Sequence, residues 1–116
     1  MTARFNHTII AAKDPETSAR FYRDVMEADD APHWGPFINL TLDGGVLLKF
    51  AAPPSDFSPQ HYAFLVSDDH FDRALDYWAD PQRQSLHSTN TEHGGRGVYF
   101  LDPAGHYLEL TTQPYV

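Results

Sequence analysis

The stretch Gly97-Val98-Tyr99-Phe100-Leu101-Asp102-Pro103-Ala104-Gly105-His106-Tyr107-Leu108-Glu109-Leu110 reads as strand, tight turn, strand. Residues 98–101 are aromatic and aliphatic with a β-branched start, the composition that strands favour. Asp102-Pro103-Ala104-Gly105 has the order of a type I turn, with Asp first, Pro at the φ-locked second place and Gly where φ can turn positive. Side chains alternate along the returning strand, so Tyr107, Glu109 and Thr111 share one face and Leu108 and Leu110 the other. Glu109 is therefore a carboxylate in the middle of an apolar and aromatic strand, and burial makes a partner for it obligatory.

Working backward, the same order of elements occurs twice. Residues 4–12 alternate as a first strand, with His7, Ile9 and Ala11 on one side. Asp14-Pro15 opens a helix, Asp as N-cap and Pro at the first helical position, with Ala19, Tyr22, Val25 and Met26 as its apolar stripe. The acidic residues 27–30 and Pro32 end it. Residues 37–42 and 46–50 form a hairpin around Asp43-Gly44-Gly45. Residues 51–60 carry Pro53, Pro54 and Pro59 and read as a linker. Residues 61–67 then begin again as a strand, Ser67 or Asp68 caps a second helix, and Phe71, Leu75 and Trp78 are its apolar stripe. Asp80-Pro81 ends that helix. The polar, Gly-rich residues 84–96 admit one short strand near Leu86, and the tail 113–116 is short.

This pattern is an internal repeat, with module one at about residues 4–52 and module two at about 60–113 of a single domain. His7 and His61 open equivalent strands. Lys49 in Leu47-Leu48-Lys49-Phe50 stands where Glu109 stands in the second half. Curled sheets facing each other would bring His7, His61 and Glu109 together. Two imidazoles and one carboxylate with open positions suit iron(II) and also accept manganese, nickel or zinc. Such an ion binds substrate oxygens as a Lewis acid or activates dioxygen. A plain structural reading stands beside this one: Glu109 pairs with a cation, Lys49 among the candidates, and Tyr99 is a core residue with a solvated hydroxyl.

The 116 residues suffice for one compact domain, and a hydrophobic share of 41% with 14% aromatics suits a packed core. A net charge of −8 argues against nucleic acid and anionic membrane surfaces as partners. No apolar run reaches the length of a membrane span, the N-terminal residues lack a signal-peptide core, and there is no Cys, which together fit a cytoplasmic protein.

Taken in order, Asn6-His7-Thr8, Asp14-Pro15 with Phe21-Tyr22-Arg23-Asp24, His61-Tyr62-Ala63-Phe64, and residues 99–106 with Glu109 resemble the vicinal-oxygen-chelate superfamily. Its members include glyoxalase I, extradiol dioxygenases, fosfomycin-resistance thiol transferases and bleomycin-binding proteins. The resemblance implies an α+β fold of two tandem βαβββ modules, their curled mixed sheets around a central cup and the helices outside. It implies a homodimer, a small-molecule substrate, and a divalent metal held by His7, His61 and Glu109, with iron(II) or manganese favoured.

Departures from the subfamilies narrow the chemistry. Glyoxalase I has a carboxylate where this chain has Lys49. The fosfomycin enzymes have a Thr where Ile9 stands, and their basic phosphonate-binding residues match Thr89 and Glu92. The resemblance to extradiol dioxygenases assigns His93 and Tyr99 as catalytic residues that hydrogen-bond the substrate oxygens. The spacer from His93 to Val98 is shorter than in that group, and residues 46–50 lack its further active-site His. Ring-cleaving dioxygenation is the leading expectation. The alternatives are thiol transfer or lyase chemistry on the same scaffold, or a metal-free protein that sequesters an aromatic or cationic drug against Trp34, Phe37 and Phe57.

Overall fold

The computed structural model describes residues 2–78 and 94–116. The chain divides into two compact units, Met1–Ser58 and Pro59–Val116, and the division falls inside the proline-containing stretch. Each unit is an α+β sandwich of one helix on one mixed sheet. No helix among the described residues is long and apolar enough to cross a membrane.

In the first unit, β1 (His7–Ala11) leads into α1 (Pro15–Met26), followed by β2 (Asp29–Asp30), β3 (Ile38–Thr41) and β4 (Leu47–Ala51). The strands lie in the order β1-β4-β3-β2, with β1 parallel to β4 and the other pairs antiparallel. Asp14 caps α1 as its sequence predicts. One carboxylate oxygen accepts from Glu16 N at 3.1 Å and Thr17 N at 3.4 Å, the other from the Thr17 hydroxyl at 2.9 Å. These bonds satisfy amide donors that the first helical turn otherwise leaves open. The helix stops at Glu27, which takes a left-handed φ of 56°. Ala19, Tyr22, Val25 and Met26 are buried, as are Ile10, Leu40, Leu48 and Phe50. The rings of Tyr22 and Phe50 meet at 4.9 Å.

The strand β2 departs from the sequence reading, which takes residues 27–30 only as a helix terminator. Asp29 and Asp30 pair with Thr41 and Leu40 at the sheet edge. Backbone pairing there needs no apolar side chain, and a charged edge discourages a further strand from adding.

In the second unit, β5 (His61–Leu65) precedes α2 (Asp68–Trp78), then β6 (Gly97–Leu101) and β7 (Tyr107–Thr111). The order is β5-β7-β6, with β5 parallel to β7 and β6 antiparallel to it. The strand expected near Leu86 lies outside the described residues. Ser67 caps α2, its hydroxyl accepting from His70 N at 3.1 Å. Phe71 and Ala74 are buried, whereas Leu75 and Trp78, expected in the core, are half-buried. Trp78 still covers Phe100, ring to ring at 4.2 Å. Its large indole spans core and surface, which a small residue such as Ala74 cannot do.

Arg96 fastens α2 to the foot of β6. Its guanidinium reaches Asp72 at 2.7 Å and Asp68 at 3.1 Å and lies over the Phe71 ring at 4.5 Å. Its hydrogen bond to Asp72, then those to Asp68, hold this guanidinium above its usual range, so it stays charged.

The turn between β6 and β7 is built as its residues dictate. Gly105 N donates to Asp102 O at 3.0 Å, and Gly105 has φ of 91°, a value that strains any residue with a side chain. The buried Asp102 carboxylate accepts from Ala104 N and His106 N, each at 2.9 Å. His106 reads from sequence as a turn residue on the face opposite Glu109. It is fully buried, and its Nδ1 accepts from Gln60 N at 2.9 Å, tying the turn to the start of β5.

Candidate metal centre

The two units repeat each other at the level of strand register. In the first, His7 pairs with Leu47 and Ile9 with Lys49. In the second, His61 pairs with Tyr107 and Ala63 with Glu109. Each imidazole thus opens a strand whose parallel neighbour carries a charged residue two positions further along, on the same face.

In the second unit that face holds His61 on β5, Glu109 on β7 and Tyr99 on β6, where Tyr99 stands directly opposite Glu109. The opposite face supplies the buried Val98, Phe100, Leu108 and Leu110. Glu109 is 3% exposed. A carboxylate so deeply buried is sustained only by partners, and it has them. Its Oε1 lies 3.3 Å from His61 Nε2. Its Oε2 accepts from the Tyr115 hydroxyl. The His61 ring lies against Tyr99, centroids 6.4 Å apart and planes 28° from parallel.

The tautomer of His61 follows from its other nitrogen. Nδ1 lies 3.1 Å from the Tyr107 carbonyl, which only accepts, so Nδ1 carries the hydrogen. A neutral ring then presents the Nε2 lone pair to the carboxylate. Two electron-rich atoms at 3.3 Å call for a positive charge between them, either a proton on Nε2 or a metal ion. His7 has the same preparation. Its Nδ1 lies 2.7 Å from Asn6 Oδ1, again an acceptor, so its Nε2 is also left as a lone pair. Both imidazoles and the carboxylate therefore fit a divalent cation in donor chemistry. Within neither unit do three such side chains gather among the described residues. The second unit brings together His61 and Glu109, and His7 stands on the first.

Tyr115 escapes the sequence reading, which gives the tail no role. The tail folds back so that its phenol meets both Glu109 and Tyr99. These hydrogen bonds, Glu109 first, push the Tyr115 phenol far above its ordinary range. The only signal in sequence is a tyrosine six residues beyond the strand carboxylate, which alternation along a strand does not interpret.

The remaining histidines sort as follows. His93, the other expected catalytic residue, and His87 lie outside the described residues. His33 is exposed, and its Nδ1 accepts from Asn39 N at 2.9 Å. His70 is half-buried in the first turn of α2.

At the equivalent place in the first unit, the Lys49 ammonium lies 4.2 Å from the centre of the Phe37 ring and 5.5 Å from that of Trp34. Its partners there among the described residues are aromatic faces.

The chain is similar along its whole length to known proteins. The structure of "Oxidase ChaP-H2" is 44% identical, with a TM-score of 0.85 over 99% of this chain and 97% of that one. The glutathione transferase FosA of Serratia marcescens is 29% identical over 95% of this chain and 81% of its own length. A variant of the fosfomycin resistance protein FosX of Listeria monocytogenes, in complex with Mn(II) and a dihydroxypropylphosphonic acid, shares the fold at 16% identity and a TM-score of 0.72, covering 98% of this chain and 95% of that one. The family model for the Glyoxalase/Bleomycin resistance protein/Dioxygenase superfamily matches residues 4–110, and the chain belongs to that superfamily, the vicinal-oxygen-chelate group whose paired modules its two units repeat.

Proposed function

We propose that the protein is a metal-dependent enzyme that takes a small substrate through two neighbouring oxygens, with ring-cleaving dioxygenation as its chemistry. The observation that carries this is the buried Glu109 carboxylate 3.3 Å from His61 Nε2, with His61 Nδ1 turned to the Tyr107 carbonyl. His7, His61 and Glu109 would hold the ion, His7 coming from the same chain or from the second copy in a homodimer. When bound, the ion supplies Lewis-acid chelation of the two oxygens and a redox centre for dioxygen. Iron(II) or manganese suits this ligand set and this chemistry.

The chain's own groups do the rest. Tyr115 donates to Oε2 of Glu109, so Oε1 would be the oxygen left for the ion. Tyr99 would hydrogen-bond a substrate oxygen, and His93 would be the second such donor. In the net reaction both atoms of dioxygen enter the product, and a carbon–carbon bond next to the paired hydroxyls breaks. Likeness to an oxidase at 44% identity supports oxygen chemistry over the thiol transfer of relatives such as FosA at 29%. The absence of the fosfomycin enzymes' Thr at Ile9, and of their basic residues at Thr89 and Glu92, points the same way.

The test is metal analysis of the purified chain, then oxygen uptake across a panel of catechols after anaerobic loading with iron(II). Metal bound in wild type and lost in His61→Ala, with uptake on at least one catechol, is the expected result. A loaded protein that ignores every catechol but joins glutathione to fosfomycin would favour the transferase reading. Wild type that takes up no metal on loading, with no change in uptake on His61→Ala, overturns the enzyme reading.

A further inference from the structure

We propose that the second unit by itself binds ferric iron, with the phenolate oxygen of Tyr115 as a ligand beside His61 and Glu109. Imidazole and carboxylate are not the whole donor inventory there. Two phenols meet the same carboxylate: the Tyr115 hydroxyl donates to Glu109 Oε2, and Tyr99 hydrogen-bonds Tyr115 in turn. His61 Nε2 lies 3.3 Å from the other carboxylate oxygen. An imidazole nitrogen, a carboxylate and a phenol are thus gathered within one unit, and none of them requires His7.

Tyr115 arrives on a fastened segment. Thr112 N donates to Arg96 O at 3.0 Å, and Arg96 N donates back to Thr112 Oγ1 at 2.8 Å. The Thr111 hydroxyl donates to Gln113 O at 3.0 Å. Gly95 permits the close pass, since a Cβ there would lie 2.5 Å from Thr112 Oγ1 and from Gln113 Cγ. Arg96 is itself tied to α2 through Asp68 and Asp72. The phenol is therefore delivered to Glu109 by contacts that do not involve Glu109, as a built site requires. Glu109 is 3% exposed, whereas Tyr115 is 48% exposed, so the phenol is the side from which an ion in solvent reaches the buried carboxylate.

Donor chemistry selects the ion. Hard cations take oxygen donors, and tyrosine is an established donor to iron. Ferric iron is more highly charged than the divalent ions considered above, and a carboxylate with a phenolate answers that charge better than a carboxylate alone. The balance of 16 acidic residues against 8 Lys and Arg adds to the attraction. Binding involves no change of oxidation state. The Tyr115 O–H bond breaks, its hydrogen leaves to solvent as a proton, and an oxygen–iron bond forms in its place. The inference rests on the reading above only for the His61–Glu109 pair, and depends neither on His7 nor on the proposed reaction.

The test is titration of the metal-stripped full chain with ferric nitrilotriacetate, read by visible absorption and resonance Raman spectra. Wild type should take up iron with a ferric–phenolate charge-transfer band, and excitation in that band should enhance tyrosinate ring vibrations. Tyr115→Phe should lower the band to background. Glu109→Gln should weaken ferric binding about tenfold or more. Tyr99→Phe and His7→Ala should both keep the band. Wild type that takes up no ferric iron, or takes it up without tyrosinate vibrations, overturns the proposal. So does a band that survives Tyr115→Phe in a protein of unchanged circular dichroism, or one lost in His7→Ala. Divalent metal content and oxygen uptake are measured on separate samples, so a chain that binds manganese through His7 yet shows no ferric band counts against the phenolate ligand alone.

Discussion

The two units set the same strand register to opposite electrostatic use. In the second, the charged residue of the pattern is Glu109, nearly fully buried and fixed between His61 and Tyr115. In the first it is Lys49, half-buried and laid over Phe37 and Trp34. The scaffold is indifferent to the sign of that charge, because the side chain projects from the face that the helix does not cover. What the sign decides is chemistry. The carboxylate is partnered by an imidazole and a phenol, the ammonium by two aromatic ring faces.

The sharpest way to break this comparison is at the two charged positions. Glu109→Gln should reduce bound metal to background, a loss on the order of 100-fold or more in affinity, because it removes an anionic ligand. Lys49→Gln should leave metal content unchanged. Equal loss in both variants, measured by elemental analysis after metal loading, would show that the two positions do not differ in role.

The cores should respond alike where the faces do not. Phe50→Ala and Phe100→Ala each empty a fully buried ring site in one unit. Each should cost about 3–5 kcal/mol in urea unfolding, a large part of the stability a small domain has. A marked disparity would mean that one unit depends on the other for its core.

Tyr115→Phe sharpens the account of the second unit. It keeps the ring and removes only the hydroxyl that fixes Glu109 Oε2. Metal affinity should fall about 10- to 100-fold, the usual effect of losing a hydrogen bond that orients a ligand, while the thermal midpoint without metal changes little. An unchanged affinity would reduce Tyr115 to a tail contact.

The smallest effect distinguishes the two helix caps. The Thr17 hydroxyl, then the Thr17 amide, holds the Asp14 carboxyl below its ordinary value of 3.8. A depressed carboxyl stabilises the fold above that ordinary value and loses its contribution as pH falls through the native one. Asp14→Ala should therefore lower the melting temperature by a few degrees near neutral pH, with the difference from wild type closing as pH falls through the depressed native value of the carboxyl. The Ser67 hydroxyl cap of α2 does not titrate, so the deficit of Ser67→Ala should persist unchanged through the same acid range. Melting curves from pH 2 to 7 check both.

Much of this was legible from residues alone, and for identifiable reasons. Asp14-Pro15 announces a helix start because capping chemistry is local. Asp102-Pro103-Ala104-Gly105 announces a turn because φ preferences are local. The pairing of His7 with His61 and of Lys49 with Glu109 follows from counting along alternating strands. The misses are equally physical. Asp29 and Asp30 form an edge strand through backbone groups that side-chain patterning does not report. Trp78 and Leu75 fit an apolar stripe, yet how far a helix rolls on its sheet depends on what Phe100 offers it. His106 reads as a turn residue opposite Glu109, and its bond from Gln60 N, which ties the turn to β5, is set by the fold.

Amino-acid order by itself determined the duplicated unit, its element types and the faces on which His7, Lys49, His61 and Glu109 lie, because capping, turn chemistry and strand alternation act over a few residues. Only tertiary structure decided the partners: Tyr115 and His61 on the two oxygens of Glu109, and two aromatic rings under Lys49. Those contacts join residues far apart in the chain or set by loop paths, and burial, which makes each of them matter energetically, exists only once the chain has folded.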